Sequence, residues 1–263
     1  MAAMPSPSAR QALLFTAGGI PLALPLTAVR SIAPSGGAGG EAQARDGAVP
    51  AISVARCLAR PEGAGAFDLL LEPAGRGALR VDALRGVGDL SRAEVFRLPA
   101  RTVAVRPAPF TGAFLLDGTL HLELDPESLL DPPPEPPAEP PRAWSDVSPA
   151  GRELLCERGG VPIAVPLGLL VQVVEAPRLH PVPLAPPGHR GVLYHGRALH
   201  PVLDAAAMLG GPEGGDPRVL LLLDAGGSTA GILVDRVWGT GEGPGGRPPR
   251  RPPWDELLGP GSQ

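Results

Sequence analysis

The chain has 263 residues with a formal net charge of −4, and 36 Gly and 36 Pro stand beside a 43% apolar fraction and 19% charge. That balance excludes disorder throughout and points to a loop-rich, mostly β chain whose turns use the Gly and whose edges and linkers use the Pro. Lys is absent and aromatic residues make up 3%, so a phosphate-tracking surface and a base-stacking platform are both missing and nucleic-acid binding is not expected.

Residues 1–9 read as a disordered N-terminus. The uncharged stretch from Gln11 to Val29 imitates a membrane segment, but Gly18-Gly19, Pro21 and Pro25 interrupt it, and spanning needs an unbroken run of helix formers. The same pattern recurs in mid-chain, so no direct membrane insertion is expected. Cys57 and Cys156 are far apart in sequence, which suits a reducing, cytoplasmic setting and leaves a disulfide open.

An internal repeat organises the rest. Gly18-Gly19-Ile20-Pro21-Leu22-Ala23-Leu24-Pro25-Leu26 aligns with Gly159-Gly160-Val161-Pro162-Ile163-Ala164-Val165-Pro166-Leu167. Val49-Pro50-Ala51-Ile52 aligns with His200-Pro201-Val202-Leu203, and Val81-Asp82 and Gly86 align with Val234-Asp235 and Gly239. Three blocks in one order mean duplication. Copy one takes residues 10–130 and copy two residues 150–240. Between them, residues 131–149 form a Pro-rich linker whose first eleven residues favour a polyproline II spacer of roughly 34 Å, at ~3.1 Å per residue. Residues 241–263 form a Gly- and Pro-rich tail, with Trp254, Leu257 and Leu258 as a small docking patch.

Within each copy the signals are β. Gly18-Gly19 and Gly159-Gly160 sit between apolar runs as two-residue hairpin turns do, and Asp117-Gly118 and Gly226-Gly227 punctuate in the same way. Arg218 to Asp224 reads as a buried strand. Helix is confined to Val54–Ala59 and Ala205–Leu209. The expected fold is all-β, two tandem domains each made of a pair of small barrels.

Enzyme signatures do not survive inspection. His180, His189, His195 and His200 fit no zinc spacing, and His195 and His200, read as lying on one strand, would face opposite ways. Gly227-Ser228-Thr229-Ala230 lacks the closing Gly of a nucleophile elbow. Asp204 and Asp235 end apolar strands and read as turn-capping carboxylates before a catalytic pair. No metal and no cofactor are expected.

The ordered motifs resemble the CheW-like domain of bacterial chemosensory arrays. Gly160 through Val173 is similar to the family's opening hairpin, Gly191 through Asp204 to its central block, and Arg218 through Gly239 to its closing strands. Copy one keeps the opening hairpin, a Pro50 block and Leu79 through Leu84, and its segment from Phe110 to Asp125 resembles the family's last strand pair. On this reading copy one lacks the central block and copy two the final strands. The resemblance implies two tandem CheW-like domains, each of paired five-stranded SH3-like barrels, without catalytic activity. Its implied partners are a CheA-type histidine kinase and chemoreceptor cytoplasmic tips. The implied contact residues are Gly191, Tyr194, His195 and Gly196, with Leu170 and Gln172 beside them, and Val29 and Ser31 in copy one. His195 stands where the family carries Arg, and Ser31 and Gln172 stand where it often carries an acidic residue. The alternative is a structural protein of a motility or polarity complex that self-associates and has lost kinase binding.

Overall fold

The computed structural model describes residues 11–36, 40–45, 47–73, 76–99, 102–104, 108–130, 145–146, 152–208, 218–225, 227–240, 248–252 and 254. The chain divides into two compact units: Met1–Leu98 with Val105–Pro136 form unit 1, and Pro99–Ala104 with Pro137–Gln263 form unit 2. The expected disordered N-terminus, most of the linker, Gly226 and the patch residues Leu257 and Leu258 lie outside the described residues. Among the described residues no helix is long and apolar enough to cross a membrane.

Unit 1 opens with the hairpin of β1 (Gln11–Ala17) and β2 (Ile20–Pro25). Gly18 and Gly19 close it at φ +57° and +77°, the mirror-image turn that matches the twist of the flanking strands. A single 3-10 turn, Leu26–Ala28, leads into β3 (Val29–Pro34). The chain continues through β4 (Glu41–Ala44), β5 (Gly47–Ser53), α1 (Val54–Cys57), β6 (Phe67–Leu71), β7 (Ala78–Val81), β8 (Ala83–Asp89), β9 (Glu94–Phe96), β10 (Phe110–Leu116), β11 (Thr119–Leu124) and α2 (Pro126–Leu130). These strands form a six-stranded sheet, β8-β1-β2-β11-β10-β9, and a five-stranded one, β3-β6-β7-β5-β4. Phe15, Leu22, Leu24 and Phe114 are fully buried in the first, and Leu69, Leu79 and Val81 in the second.

Unit 2 repeats the plan. Its elements are β12 (Ser145–Asp146), β13 (Glu153–Arg158), β14 (Val161–Pro166), β15 (Leu170–Glu175), β16 (Leu179–His180), β17 (His189–His195), β18 (Ala198–Leu203), α3 (Ala205–Met208), β19 (Val219–Ala225), β20 (Ser228–Val234), β21 (Arg236–Gly239) and β22 (Arg250–Arg251). The sheets run β12-β22-β14-β13-β21 and β15-β19-β20-β18-β17-β16. Each unit is thus a five-stranded and a six-stranded sheet, not the pair of five-stranded barrels expected. Val165, which the strand phase places inward, is fully buried.

Two readings of the repeat change. Copy one does hold a hairpin at the central position: β4 pairs antiparallel with β5, and β5 runs parallel to β7, just as β17 pairs with β18 and β18 runs parallel to β20. Its sequence diverged while the backbone plan stayed. In copy two the place of the last hairpin is held by two-residue strands. β22 pairs parallel with β14 as β11 does with β2, and β12 pairs antiparallel with β22. One of these strands precedes β13 and the other follows β21, outside residues 150–240. The tail is also anchored by Trp254, only 4% exposed, which joins the core of Leu154, Ile163, Val165, Leu221 and Ile232, and by an ion pair from Arg251 to the buried Glu153. Trp254→Ala is expected to destabilise unit 2 by about 3–5 kcal/mol, read as a lower denaturant midpoint with loss of near-ultraviolet ellipticity.

Candidate functional site

The two sheets of each unit are joined at one carboxylate. Asp82 sits between β7 and β8; its amide donates to the Thr16 carbonyl at 2.9 Å, and its Oδ2 accepts from the Gly18 amide at 2.8 Å. Asp235, between β20 and β21, repeats this with the Glu157 carbonyl at 2.7 Å and the Gly159 amide at 2.8 Å. The expected turn-capping role of the aspartates is therefore their structural role. The second cap repeats too: Ser53 Oγ accepts from the Arg56 amide at 3.3 Å, and Asp204 Oδ1 from the Ala207 amide at 3.4 Å.

Unit 2 adds a charge that sequence reading missed. Arg158, at the end of β13, is fully buried, and so is Asp204. The guanidinium Nη2 donates to Asp204 Oδ2 at 2.8 Å, Nε lies 3.2 Å from both carboxylate oxygens, and Nη1 donates to Asp235. Burial works against the charge of Arg158, but these hydrogen bonds outweigh it and hold its pKa above the usual value. The available signal was a coincidence of two differences between the copies, Arg158 for Ala17 and Asp204 for Ser53.

The proposed contact residues fall in two units. In unit 1, Val29 and Ser31 lie at the start of β3, half-buried and exposed respectively, on either side of a register shift against β6 at Arg30. In unit 2, Leu170 and Gln172 flank the same irregularity, and here Val171 is the extra residue, 59% exposed. Leu170 packs on the core, whereas Gln172 is exposed and its Oε1 lies 2.8 Å from His195 Nε2. The structure thus brings Gln172 and His195 together. Tyr194 is half-buried beside His195. His195 and His200 do not share a strand: they lie on β17 and β18, joined by the turn at Gly196 and Arg197, and His200 Nε2 lies 3.1 Å from the His195 carbonyl.

Sequence reading also missed the apolar strip. Val171 and Val173 on β15 and Val237 on β21 are 59%, 44% and 39% exposed. Val173 and Val237 line an open groove of about 520 Å³ with Val219 and Trp238, shared with Glu175, Arg218, Asp235 and Arg236. Four of the six residues of Leu170–Glu175 are apolar and they do not alternate with Gln172 and Glu175, so the pattern gave no cue to which face is wet. Unit 1 keeps one element of the strip, Ile32, aligned with Val173 and 42% exposed. Among the described residues no three His, Cys, Asp or Glu side chains gather as a metal cluster.

Two glycines of the central block behave differently. Gly191 has φ +113°, and a Cβ there would stand 2.2 Å from the His180 carbonyl oxygen. Gly196 has φ +58° with open space around it. Gly191→Ala should therefore cost more than ~2 kcal/mol of unit 2 stability and Gly196→Ala about 1 kcal/mol, measured by urea denaturation of the full chain.

His189 gives a pH dependence. Its pKa is pushed down to about 4 by burial, and its Nδ1 accepts from the Gly191 amide at 3.2 Å, which requires the neutral ring. The unfolded chain binds this proton near pH 6.5 and the folded one only near pH 4, so stability is complete above about 6.5 and falls as pH drops to 4. The loss should be on the order of 3 kcal/mol, and His189→Gln should flatten that part of the stability–pH curve.

Residues 153–244 match the family model of the CheW-like domain. A CheW-like domain, a non-catalytic adaptor module, is therefore present within unit 2. The chain is also similar to the crystal structure of the scaffolding protein TtCheW from Thermoanaerobacter tengcongensis, at 17% identity and a TM-score of 0.31, covering 34% of this chain and 64% of that one. No curated protein matches the chain. The essentially all-β units, built on one repeated strand plan, are consistent with a duplicated CheW-like fold.

Proposed function

We propose that the chain is a chemosensory adaptor that couples chemoreceptor tips to a CheA-type histidine kinase, with unit 2 as the main docking module. The observation that carries this reading is the apolar strip of Val171, Val173 and Val237, which lies in the segment matched as CheW-like. Exposed valines, two of which line one groove, are what a protein partner covers and what water disfavours. The Gln172–His195 pair, with Tyr194 and Gly196 next to His195 in sequence and Leu170 at the start of the same strand as Gln172, is a second, polar contact of unit 2, and Gly191 shapes the strand β17 that carries His195. Val29, Ser31 and Ile32 form the corresponding surface of unit 1. Two weak contacts on one tethered chain raise avidity by about 10² when both engage one assembly.

A second reading, self-association within a motility or polarity complex, is favoured by Val87 and Val95. They are 54% and 68% exposed on β8 and β9, the strands at the two ends of one sheet, and open strand edges are places where chains pair.

The test is binding of the full chain to an immobilised CheA regulatory domain. Val173→Asp should weaken it about tenfold, and Ile32→Asp less. No binding by the wild-type chain, while a standard CheW binds, would refute the bridging role. Concentration-dependent association in equilibrium sedimentation, lost in Val95→Asp, would favour the second reading.

A further inference from the structure

The opening hairpins of the two copies are nearly the same sequence, Ile20-Pro21-Leu22-Ala23-Leu24-Pro25 against Val161-Pro162-Ile163-Ala164-Val165-Pro166 after the same Gly-Gly turn. Tandem modules this alike risk exchanging equivalent elements as they fold. We propose that the Arg158–Asp204 pair is a recognition lock that commits each hairpin to its own unit.

The lock works because its two halves lie on different elements. Arg158 belongs to the hairpin, at the end of β13, while Asp204 belongs to the rest of the unit, between β18 and α3. In unit 1 the equivalent residues are Ala17, fully buried, and Ser53, so no ion pair joins these two positions. The space is used otherwise. The second oxygen of Asp82, which in Asp235 meets Arg158, accepts from the Gly65 amide at 3.4 Å, and Arg60 Nε donates to the Gly18 carbonyl at 3.4 Å. Residues 60–65 thus approach Gly18 and Asp82, where unit 2 sets Arg158 against Asp235.

Each wrong combination carries its own penalty. The β1–β2 hairpin set into unit 2 would leave Asp204, fully buried, facing Ala17 in place of Arg158. The β13–β14 hairpin set into unit 1 would leave Arg158 with Asp82 in the place of Asp235, but against Ser53 in the place of Asp204 and against the chain at Gly63 and Gly65. A buried charge stripped of its partner is among the most destabilising changes a core can suffer, whereas an ion pair replaced as a whole by uncharged groups is tolerated. The two units show the two tolerated arrangements: one keeps the pair and the other has replaced it completely. The lock therefore acts against the wrong pairing more than in favour of the right one.

The experiment is an exchange of residues 16–25 with 157–166 in the full chain. This leaves Phe15, Cys156 and Glu153 where they are, so the Glu153–Arg251 pair is untouched, and the core changes only by one methylene at Ile20/Val161 and one at Leu24/Val165 in each unit. The exchanged chain is expected to lose cooperative unfolding or at least about 10 °C of melting temperature. The same exchange with Ala17 and Arg158 left in place carries the same methylene changes without the charge change, and is expected to lose less than half as much melting temperature as the first chain. An exchanged chain as stable as wild type would overturn the proposal, because the hairpins would then be interchangeable. So would a second chain as unstable as the first, because discrimination would then lie elsewhere in the hairpin. Neither result depends on kinase or receptor binding, so the docking reading stands or falls separately.

Discussion

The structure depends on one carboxylate per unit. Asp82 and Asp235 leave one sheet and enter the other, and at that step each takes the first amide of the opposite hairpin turn. A turn amide at the junction of two sheets has no ladder partner, and leaving it unmade in a half-buried place would cost about 1–3 kcal/mol. The aspartate supplies the missing acceptor and fixes the angle between the sheets with one side chain. Gly86 and Gly239 follow four residues later, at φ +126° and +109°, where the register against β1 and β13 slips. Carboxylate and bulge together turn a strand of one sheet into an edge of the other.

Around that shared joint the copies have diverged in opposite senses. Unit 2 carries a buried ion pair at the hairpin end and leucines on β19 and β20, where Leu220 and Leu233 are fully buried. Unit 1 has uncharged residues at the hairpin end. At the position of the two leucines it carries Asp68 and Arg80, cross-strand partners whose Arg80 Nε donates to Asp68 Oδ1 at 2.8 Å. Asp68 is 1% exposed and Arg80 also reaches the Glu41 carbonyl on β4. One backbone plan thus tolerates a charge pair at either place, provided the pair is complete.

The repeat was legible because hairpin turns need residues that accept positive φ, and the Gly-Gly pairs kept those residues in both copies. Asp82 and Asp235 were legible for the same reason: their spacing from Gly86 and Gly239 is part of the joint. The hairpin β4–β5 was not, because strand pairing uses the backbone and copy one replaced the side chains that carried the motif. β12 and β22 were illegible for a different reason. Two residues give no periodicity, and their pairing is decided by Trp254 filling a slot in the core rather than by local preference. His195 and His200 were put on one strand because Gly196-Arg197 is a less familiar turn than Gly-Gly, although Arg197 adopts φ +63° to complete it.

The irregularity at the start of β3 and β15 explains how the exposed apolar face arises. A bulge leaves its extra residue without a ladder partner and turns the strand, so that residue is pushed toward solvent whatever its chemistry. In unit 2 that residue is Val171, and with Val173 two places on it extends an apolar surface toward Val237. In unit 1 it is Arg30, which lies 4.0 Å from Glu72 across the strand end, leaving Ile32 as the exposed apolar residue of that strand. The backbone offers the same knob twice, and the sequence makes one knob greasy and the other charged. The apolar face is therefore larger on unit 2, while unit 1 presents a smaller and more polar version of it. Duplication followed by this kind of change yields two exposed faces of different polarity from one geometric device.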